Sequence, residues 1–253
     1  VILWTDGAHG AAENMRRDAV LLEAAAAGRR REPVLRLFTF RPAGITLGRS
    51  QDVFRELDRH ALERDGIPWA VRPTGGRAIF HDEEWTFSLC LPAGADGRGP
   101  DPREAYSRSC RLLADAFTAL GVPARLSPGS PRGVGPPRAR EGPAAPCFTS
   151  SARDELTLEG RKLAGIAQRS VRGALLQQGS LLLGPAHLRL ADYLRVDEAG
   201  RAALRAGLAA AAAEAGAYLG GDVRLERLAG ALAARLPEAS RLEGEDGWHA
   251  LAT

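Results

Sequence analysis

The stretch DELTLEGRKLAGIAQRS (residues 154–170), followed by ALLQQGSLLL (174–183), carries the pattern that decides the fold. Two alternating runs flank Glu159 and Gly160, a pair suited to a tight turn with positive φ, so the first segment predicts a β-hairpin. The second predicts a further strand. Lys162 stands just past the hairpin turn. Of the 34 basic residues it alone is lysine, the other 33 being arginine. A chain that writes its surface cations as guanidinium has no need of ammonium for solubility, so this one asks for a chemical reason. Period two places Ala164, Ile166 and Gln168 on the face of Lys162.

Upstream, WTFSLCL (85–91) alternates as a strand, with Trp85, Phe87, Leu89 and Leu91 on one face and Thr86, Ser88 and Cys90 on the other. VLRLFTF (34–40) and ITLG (45–48) read as strands about a tight turn, and Trp69–Arg72 as a short one. Helical spacing of Met15, Ala19, Leu22 and Ala26 predicts a helix over 11–27 that stops at Gly28. A second is expected near 54–64. A third, over 102–120, buries Tyr106, Cys110, Leu113, Phe117 and Leu120, which makes Cys110, like Cys90, a wall residue. Residues 126–146 are rich in Pro and Gly with almost no apolar side chains; a loop of that length inside a compact domain is either disordered or functional, often an active-site cover, and it ends at Cys147. Beyond Pro185, alanine-rich segments around 202–218 and 223–236 predict helices. The chain thus divides into a catalytic domain, 1–185, and a small C-terminal helical appendage, 186–253.

With 253 residues, 45% hydrophobic and 26% charged, the composition is that of a soluble globular protein. The net charge of +3 is mild, the arginines are dispersed and only 6% of residues are aromatic. This argues for an acidic protein partner and against a nucleic-acid platform. No apolar run approaches the roughly 18–20 residues of a membrane span. The opening VILWTDGAHG is too short in apolar residues for a signal peptide, so a cytoplasmic protein is expected. Three cysteines without CxxC spacing argue against a disulfide framework and a zinc site, and His9, His60, His187 and His249 lack ligand spacing. No metal is expected.

Three stretches together, ITLGRSQD (45–52), VRPTGGRAIFHDEEWTFSL (71–89) and PCFTSSARDELTLEGRKLAGIAQRS leading into LLQQGSLLL (146–183), resemble the lipoate/biotin protein ligase and octanoyltransferase superfamily. AAENMRRD (11–18) fits the same pattern. The resemblance implies a mixed α/β (α+β) fold, a sheet flanked by helices and related to the class II tRNA synthetase and biotin ligase catalytic domains. Cys147 precedes Lys162 by 15 residues, as in the octanoyltransferase branch, whose nucleophile lies in the loop before this hairpin. Arg77 at the third position of the glycine run, and EEWTFS after His81 and Asp82, depart from the ATP-using ligases.

The implied reaction moves an octanoyl group from acyl carrier protein to a cysteine, and then to a lysine of a lipoyl-domain protein, the glycine cleavage H protein or a 2-oxoacid dehydrogenase E2. Cys147 would be the nucleophile and Lys162 its catalytic partner. Substrate contacts are implied for Arg72, Thr74, Gly75, Gly76, Arg77, Ala78 and His81 in the second motif and for Gly165, Ala167 and Gln168 in the third, with Gln51 a further candidate. Gly75 and Gly76 would let the backbone approach the acyl chain. Arg72 and Arg77 would meet the phosphopantetheine phosphate or an acidic partner surface. No tightly bound cofactor is implied, the octanoyl-phosphopantetheine thioester being substrate. An ATP-dependent lipoate-protein ligase, an octanoyl amidotransferase between lipoyl-domain proteins, and a catalytically silent carrier-binding member remain alternatives. The superfamily's usual His before Gly in the LLQQGSLLL strand is Gln178 here, which leaves His81 as the titrating helper.

Overall fold

The computed structural model describes residues 1–128 and 154–252. Cys147 and most of the Pro/Gly-rich stretch lie outside the described residues. In chain order the strands are β1 (Ile2–His9), β2 (Val34–Phe40), β3 (Gly44–Leu47), β4 (Trp69–Val71), β5 (Ile79–His81), β6 (Glu84–Leu91), β7 (Arg125–Leu126), β8 (Leu156–Leu158), β9 (Arg161–Lys162), β10 (Ala164–Val171), β11 (Ala174–Leu182) and β12 (Ser240–Glu243). The helices are α1 (Ala11–Ala26), α2 (Val53–Glu56), α3 (Arg59–Asp65), α4 (Pro102–Ala119), α5 (Leu190–Tyr193), α6 (Glu198–Ala211), α7 (Leu225–Ala233) and α8 (Gly244–Ala252).

Six strands form the main sheet in the order β10-β11-β6-β2-β1-β12, and two three-stranded sheets, β4-β3-β5 and β7-β8-β9, complete the framework. Register carries the period-two pattern from strand to strand. Trp4, Arg36, Ser88, Gln178 and Ala167 are successive cross-strand partners and form one row. The neighbouring positions Leu3, Leu35, Leu89 and Gln177 form a row on the opposite face. Helix α1 packs on the first face, against β6 and β11, while α7 packs against β1, β2 and α4 on the second. Trp85, Phe87 and Leu89 point to that second face, as the alternation in 85–91 requires, and join Leu3, Leu35, Leu37, Phe117 and Leu228 in the largest apolar cluster.

Two features differ from the sequence reading. The helix expected near 54–64 is broken into α2 and α3, because Asp52 and Asp58 each cap a separate N-terminus by accepting backbone N–H bonds. The segment 186–253 does carry helices, yet β12 pairs parallel with β1 in the main sheet. Its side chains, including Leu190, Leu208, Leu228 and Leu251, also enter three of the four apolar clusters. It packs as part of the sheet domain because the outer edge of β1 and the apolar face of the sheet are covered by these residues. No helix among the described residues is long and apolar enough to cross a membrane.

Candidate active site

A cleft opens on the α1 face where the main sheet meets the small β4-β3-β5 sheet. Met15, Phe38, Phe40 and Ile79 supply apolar walls; Thr46, Arg72, His81, Thr86, Gln178 and Ser180 supply polar ones; Gly165, Ala167 and Gly179 leave the floor open. Gly165 and Ala167 reach it because they pair with Ser180 and Gln178 on the cleft-facing side of β11.

The loop after β4, carrying the PTGG motif (73–76), is held from below and behind. The Arg72 guanidinium donates to the Gly75 carbonyl through Nε (3.0 Å) and Nη2 (2.6 Å), and to the Arg77 carbonyl at 2.8 Å. Nη1 also reaches the Thr46 hydroxyl at 3.3 Å. This buried arginine braces the loop's own carbonyls. The loop rests on Gly48, where a β-carbon would lie 2.1 Å from the Gly76 carbonyl oxygen; only glycine admits that approach. The Gln51 side chain accepts from the Gly48 N–H (3.0 Å), and the Arg49 N–H donates to the Thr74 carbonyl (3.0 Å). Gln51 is therefore a turn brace.

Thr74 connects the loop to the sheet. Its hydroxyl donates to Gln178 Oε1 at 2.6 Å, and Gln178 Nε2 donates to Asp18 Oδ2 at 2.6 Å. Asp18 in turn accepts from Arg36 Nη1 (2.7 Å) and Ser88 Oγ (2.6 Å). Arg36 Nε donates to Asp6 at 2.8 Å, and Asp6 accepts from Arg17 (2.6 Å), which also pairs with Glu245 on α8. Every side chain from Thr74 to Arg17 in this series is buried. Asp6, His9 and Glu245 bring potential ligand atoms within 4.8 Å of one another. Arg17 donates to both carboxylates, so a guanidinium already supplies the cation there.

His81 is stacked on Phe40 with ring centroids 4.0 Å apart. Its Nδ1 lies 2.6 Å from Glu84 Oε1 and its Nε2 2.6 Å from the Thr46 hydroxyl. A carboxylate at Nδ1 selects the tautomer that donates there, leaving Nε2 to accept the Thr46 proton. Thr86 and Ser180 hydroxyls also donate to Glu84 Oε1, at 2.7 and 3.0 Å. Both ring nitrogens are thus engaged, and the imidazole is a braced wall of the cleft.

Several expected contacts fall elsewhere. Gln168 is on the opposite face of β10 from Gly165 and Ala167, and its Nε2 donates to the Pro102 carbonyl at the start of α4 (2.9 Å). Strand parity decides this, since Gln168 pairs with Gln177 and Ala167 with Gln178. Arg77 is half-exposed and faces Glu56 on α2 at 3.8 Å. Ala78 is buried in the core beneath the loop, and Gly75 faces open space. Cys90 and Cys110 are buried wall residues, and burial pushes each thiol up to about 12.

Lys162 is not among the cleft's lining residues. It ends β9, and Nζ donates to Glu155 Oε1 at 2.8 Å with both side chains nearly buried, 10% and 7% exposed. The hairpin turn has the expected geometry, φ being +52° at Glu159 and +75° at Gly160. Thr157 pairs with Lys162, so Glu155 sits diagonally across the ladder on the same face, while Leu156, Leu158 and Leu163 bury the other. Sequence reasoning missed Glu155, Asp18, Arg36, Glu84 and Thr46. The available signals were acidic and amide residues at helical spacing inside an apolar stripe, Asn14 and Asp18, and a lone arginine inside the apolar strand 34–40.

The comparisons with known proteins agree with this architecture. The model of the lipoyl protein ligase A/B catalytic domain matches residues 10–236. An octanoyltransferase LipM of an Exiguobacterium species is 37% identical over 188 residues, 74% of this chain and 67% of that protein. The octanoyltransferases LipM of Geobacillus kaustophilus and Exiguobacterium sibiricum are 34% and 32% identical over 67% and 78% of this chain. Those two matches span 60% and 71% of the relatives' own lengths. Among solved structures, a bipartite lipoate protein ligase from Thermoplasma acidophilum, studied with its E2 lipoyl domain, superimposes with a TM-score of 0.70 at 19% identity, covering 99% of this chain and 89% of that one. Lipoate-protein ligase A bound with ATP gives 0.66 at 20% identity, covering 99% and 92%. With the family model matching residues 10–236 and a relative 37% identical, the chain belongs to the lipoyl protein ligase A/B catalytic-domain family.

Proposed function

We propose that this protein is an octanoyltransferase of protein lipoylation that carries the acyl group on Cys147. The observation that supports the reading best is the 37% identity to an octanoyltransferase over 188 residues. The Cys147–Lys162 spacing within the GRKLAG context adds to it. In the first step the Cys147 thiolate attacks the thioester carbonyl of octanoyl carrier protein; the new C–S bond forms, the old one breaks, and the phosphopantetheine thiol leaves with a proton. In the second, the neutral amine of a lipoyl-domain lysine attacks the acyl-cysteine, the C–N bond forms, the C–S bond breaks, and the Cys147 sulfur departs as the amine gives up a proton to it or to solvent. Neither step consumes ATP, since each exchanges an activated acyl group.

A free cysteine is only a few per cent thiolate at neutral pH, and a neighbouring ammonium raises that fraction. Lys162 supplies the charge, and an N–H donated to the carbonyl oxygen would stabilise the tetrahedral intermediate. The cleft would take the apolar chain beside Met15, Phe38 and Phe40, with the braced PTGG loop setting its width. Incubation with octanoyl carrier protein should give an octanoyl mass adduct on Cys147 without ATP, absent in Cys147→Ser. Acylation from free octanoate only in the presence of ATP would replace this reading with that of a ligase.

A further inference from the structure

An octanoyl chain does not fit the cleft between the two sheets as it stands. The free volume there is about 30 Å³, room for roughly one or two waters, whereas pockets that enclose a whole ligand measure about 300–1,000 Å³. A lining group must therefore move before a chain enters. We propose that Met15 is that group: its side chain swings aside to admit the acyl chain, and its bulk sets how long a chain is accepted. The inference rests on the proposed acyl transfer and makes Met15 a specificity-determining residue of that reaction.

The other walls are held in place. Thr46 is 2.6 Å from His81 Nε2, His81 Nδ1 is 2.6 Å from Glu84, and the Thr86 and Ser180 hydroxyls donate to that same carboxylate. Arg72 is engaged by the Gly75 and Arg77 carbonyls, and Gln178 spans Thr74 and Asp18. Phe40 is stacked on His81, and the Arg36 guanidinium lies 3.9 Å over the Phe38 ring. Ile79, branched at Cβ, is stiff at χ1 and sits opposite Thr46 in the small sheet. Met15 differs on each count. It is unbranched, with three rotatable bonds. Its sulfur, a weak acceptor, receives the Gln178 amide at 3.5 Å. Besides the two phenylalanines its apolar cluster holds Ala11 and Ala70, which are too short to interlock with it. It is also the one methionine of the 253 residues, in a core otherwise filled mainly by leucine and alanine. The chain uses its most adaptable apolar side chain once, at the wall that has to give way.

The test is a chain-length profile. Octanoyl-, decanoyl- and dodecanoyl-pantetheine are compared as donors for the unsubstituted protein and for Met15→Ala, Met15→Val and Met15→Ile, each checked for folding by circular dichroism. Met15→Ala removes the side chain that has to swing, so the dodecanoyl-to-octanoyl ratio of kcat/KM should rise roughly tenfold or more. Met15→Val, the milder truncation, should raise it by less. Met15→Ile keeps a similar bulk and fixes χ1; with the open fraction cut to about a tenth, octanoyl KM should rise roughly tenfold with kcat little changed. A dodecanoyl-to-octanoyl ratio unchanged in folded Met15→Ala or Met15→Val would overturn the proposal. Failure of the acyl-transfer reading appears separately, as absence of transfer from any of the three donors by the unsubstituted protein.

Discussion

The two faces of the six-stranded sheet are made from alternate residues of the same strands, yet they are held together by different physics. Toward α4 and α7 the strands present Leu3, Leu35, Leu37, Phe87 and Leu181, a dry surface stabilised by burial of hydrocarbon. It also borders an apolar cavity of about 660 Å³ between β2, β6, α4 and α7. Toward α1 the same strands present Arg36, Ser88 and Gln178, tied to Asp6, Asn14 and Asp18 by short hydrogen bonds, and Thr86 and Ser180, tied to Glu84. The apolar face tolerates apolar residues of similar volume, whereas on the polar face each removal strands a buried charge or an unpaired donor. The candidate active site lies on the polar face. A site that must hold a loop to sub-ångström geometry benefits from directional bonds that a leucine layer does not offer.

Arg36→Met tests this contrast most severely. It leaves Asp6 and Asp18 facing each other in the core, and the loss should be about 3–5 kcal/mol in urea unfolding. Leu37→Ala, one residue along on the other face, should cost about 2–5 kcal/mol. Its effect should not depend on salt or acid, whereas a partly acid-labile loss for Leu37→Ala would blur the distinction between the faces. Gln178→Leu removes the bridge between Thr74 and Asp18; a loss of about 1–3 kcal/mol is expected, with octanoyl transfer falling further than stability because the PTGG loop is freed.

Acid supplies a milder probe of the same face. The Arg16 hydrogen bond, followed by that of Arg17, holds the Glu13 carboxyl down at about 2 against an ordinary 4.5, in spite of partial burial. Its folded-state value being depressed, Glu13 contributes stability that is complete above about pH 4.5 and is lost as pH falls toward about 2. Glu13→Gln should lower stability at neutral pH and flatten that part of an acid-unfolding curve, so that the two proteins converge as pH falls toward about 2. Smallest of all, Gln168→Ala should change stability by no more than about 0.5 kcal/mol and leave transfer unaltered, since its side chain faces α4 and not the cleft. A marked loss of activity there would mean that the cleft extends through the sheet edge.

Much of this architecture is legible wherever pattern and contact are local. Alternation in 85–91 assigns both faces of β6, helical spacing places α1 and α4 within a residue of their ends, and Glu159–Gly160 marks the hairpin turn. Motif resemblance marks the loop and the lysine. What escapes is what depends on partners distant in sequence. β1 is interrupted by a register shift between Thr5 and Gly7, which spoils its alternation, and β12 is a four-residue strand whose mate lies near the other end of the chain. Gln168 could be assigned to a face only once the break at Leu163 between β9 and β10 was known. Arg36 is instructive because its strand reads as apolar, and the meaning of its charge appears only when Asp6 and Asp18 arrive from two other elements.

The pairing of β1 with β12 has a consequence for biosynthesis. Residues 240–243 emerge from the ribosome long after residues 2–5, and at about 5–20 residues per second the delay is roughly 10–50 s. Throughout that interval the newborn polypeptide carries an open strand edge, a template for unwanted pairing with neighbouring chains. Arg17 likewise awaits Glu245. The nascent protein thus has a window in which a chaperone that shields strand edges would raise its yield, and the window closes only when residues 240–243 have been made.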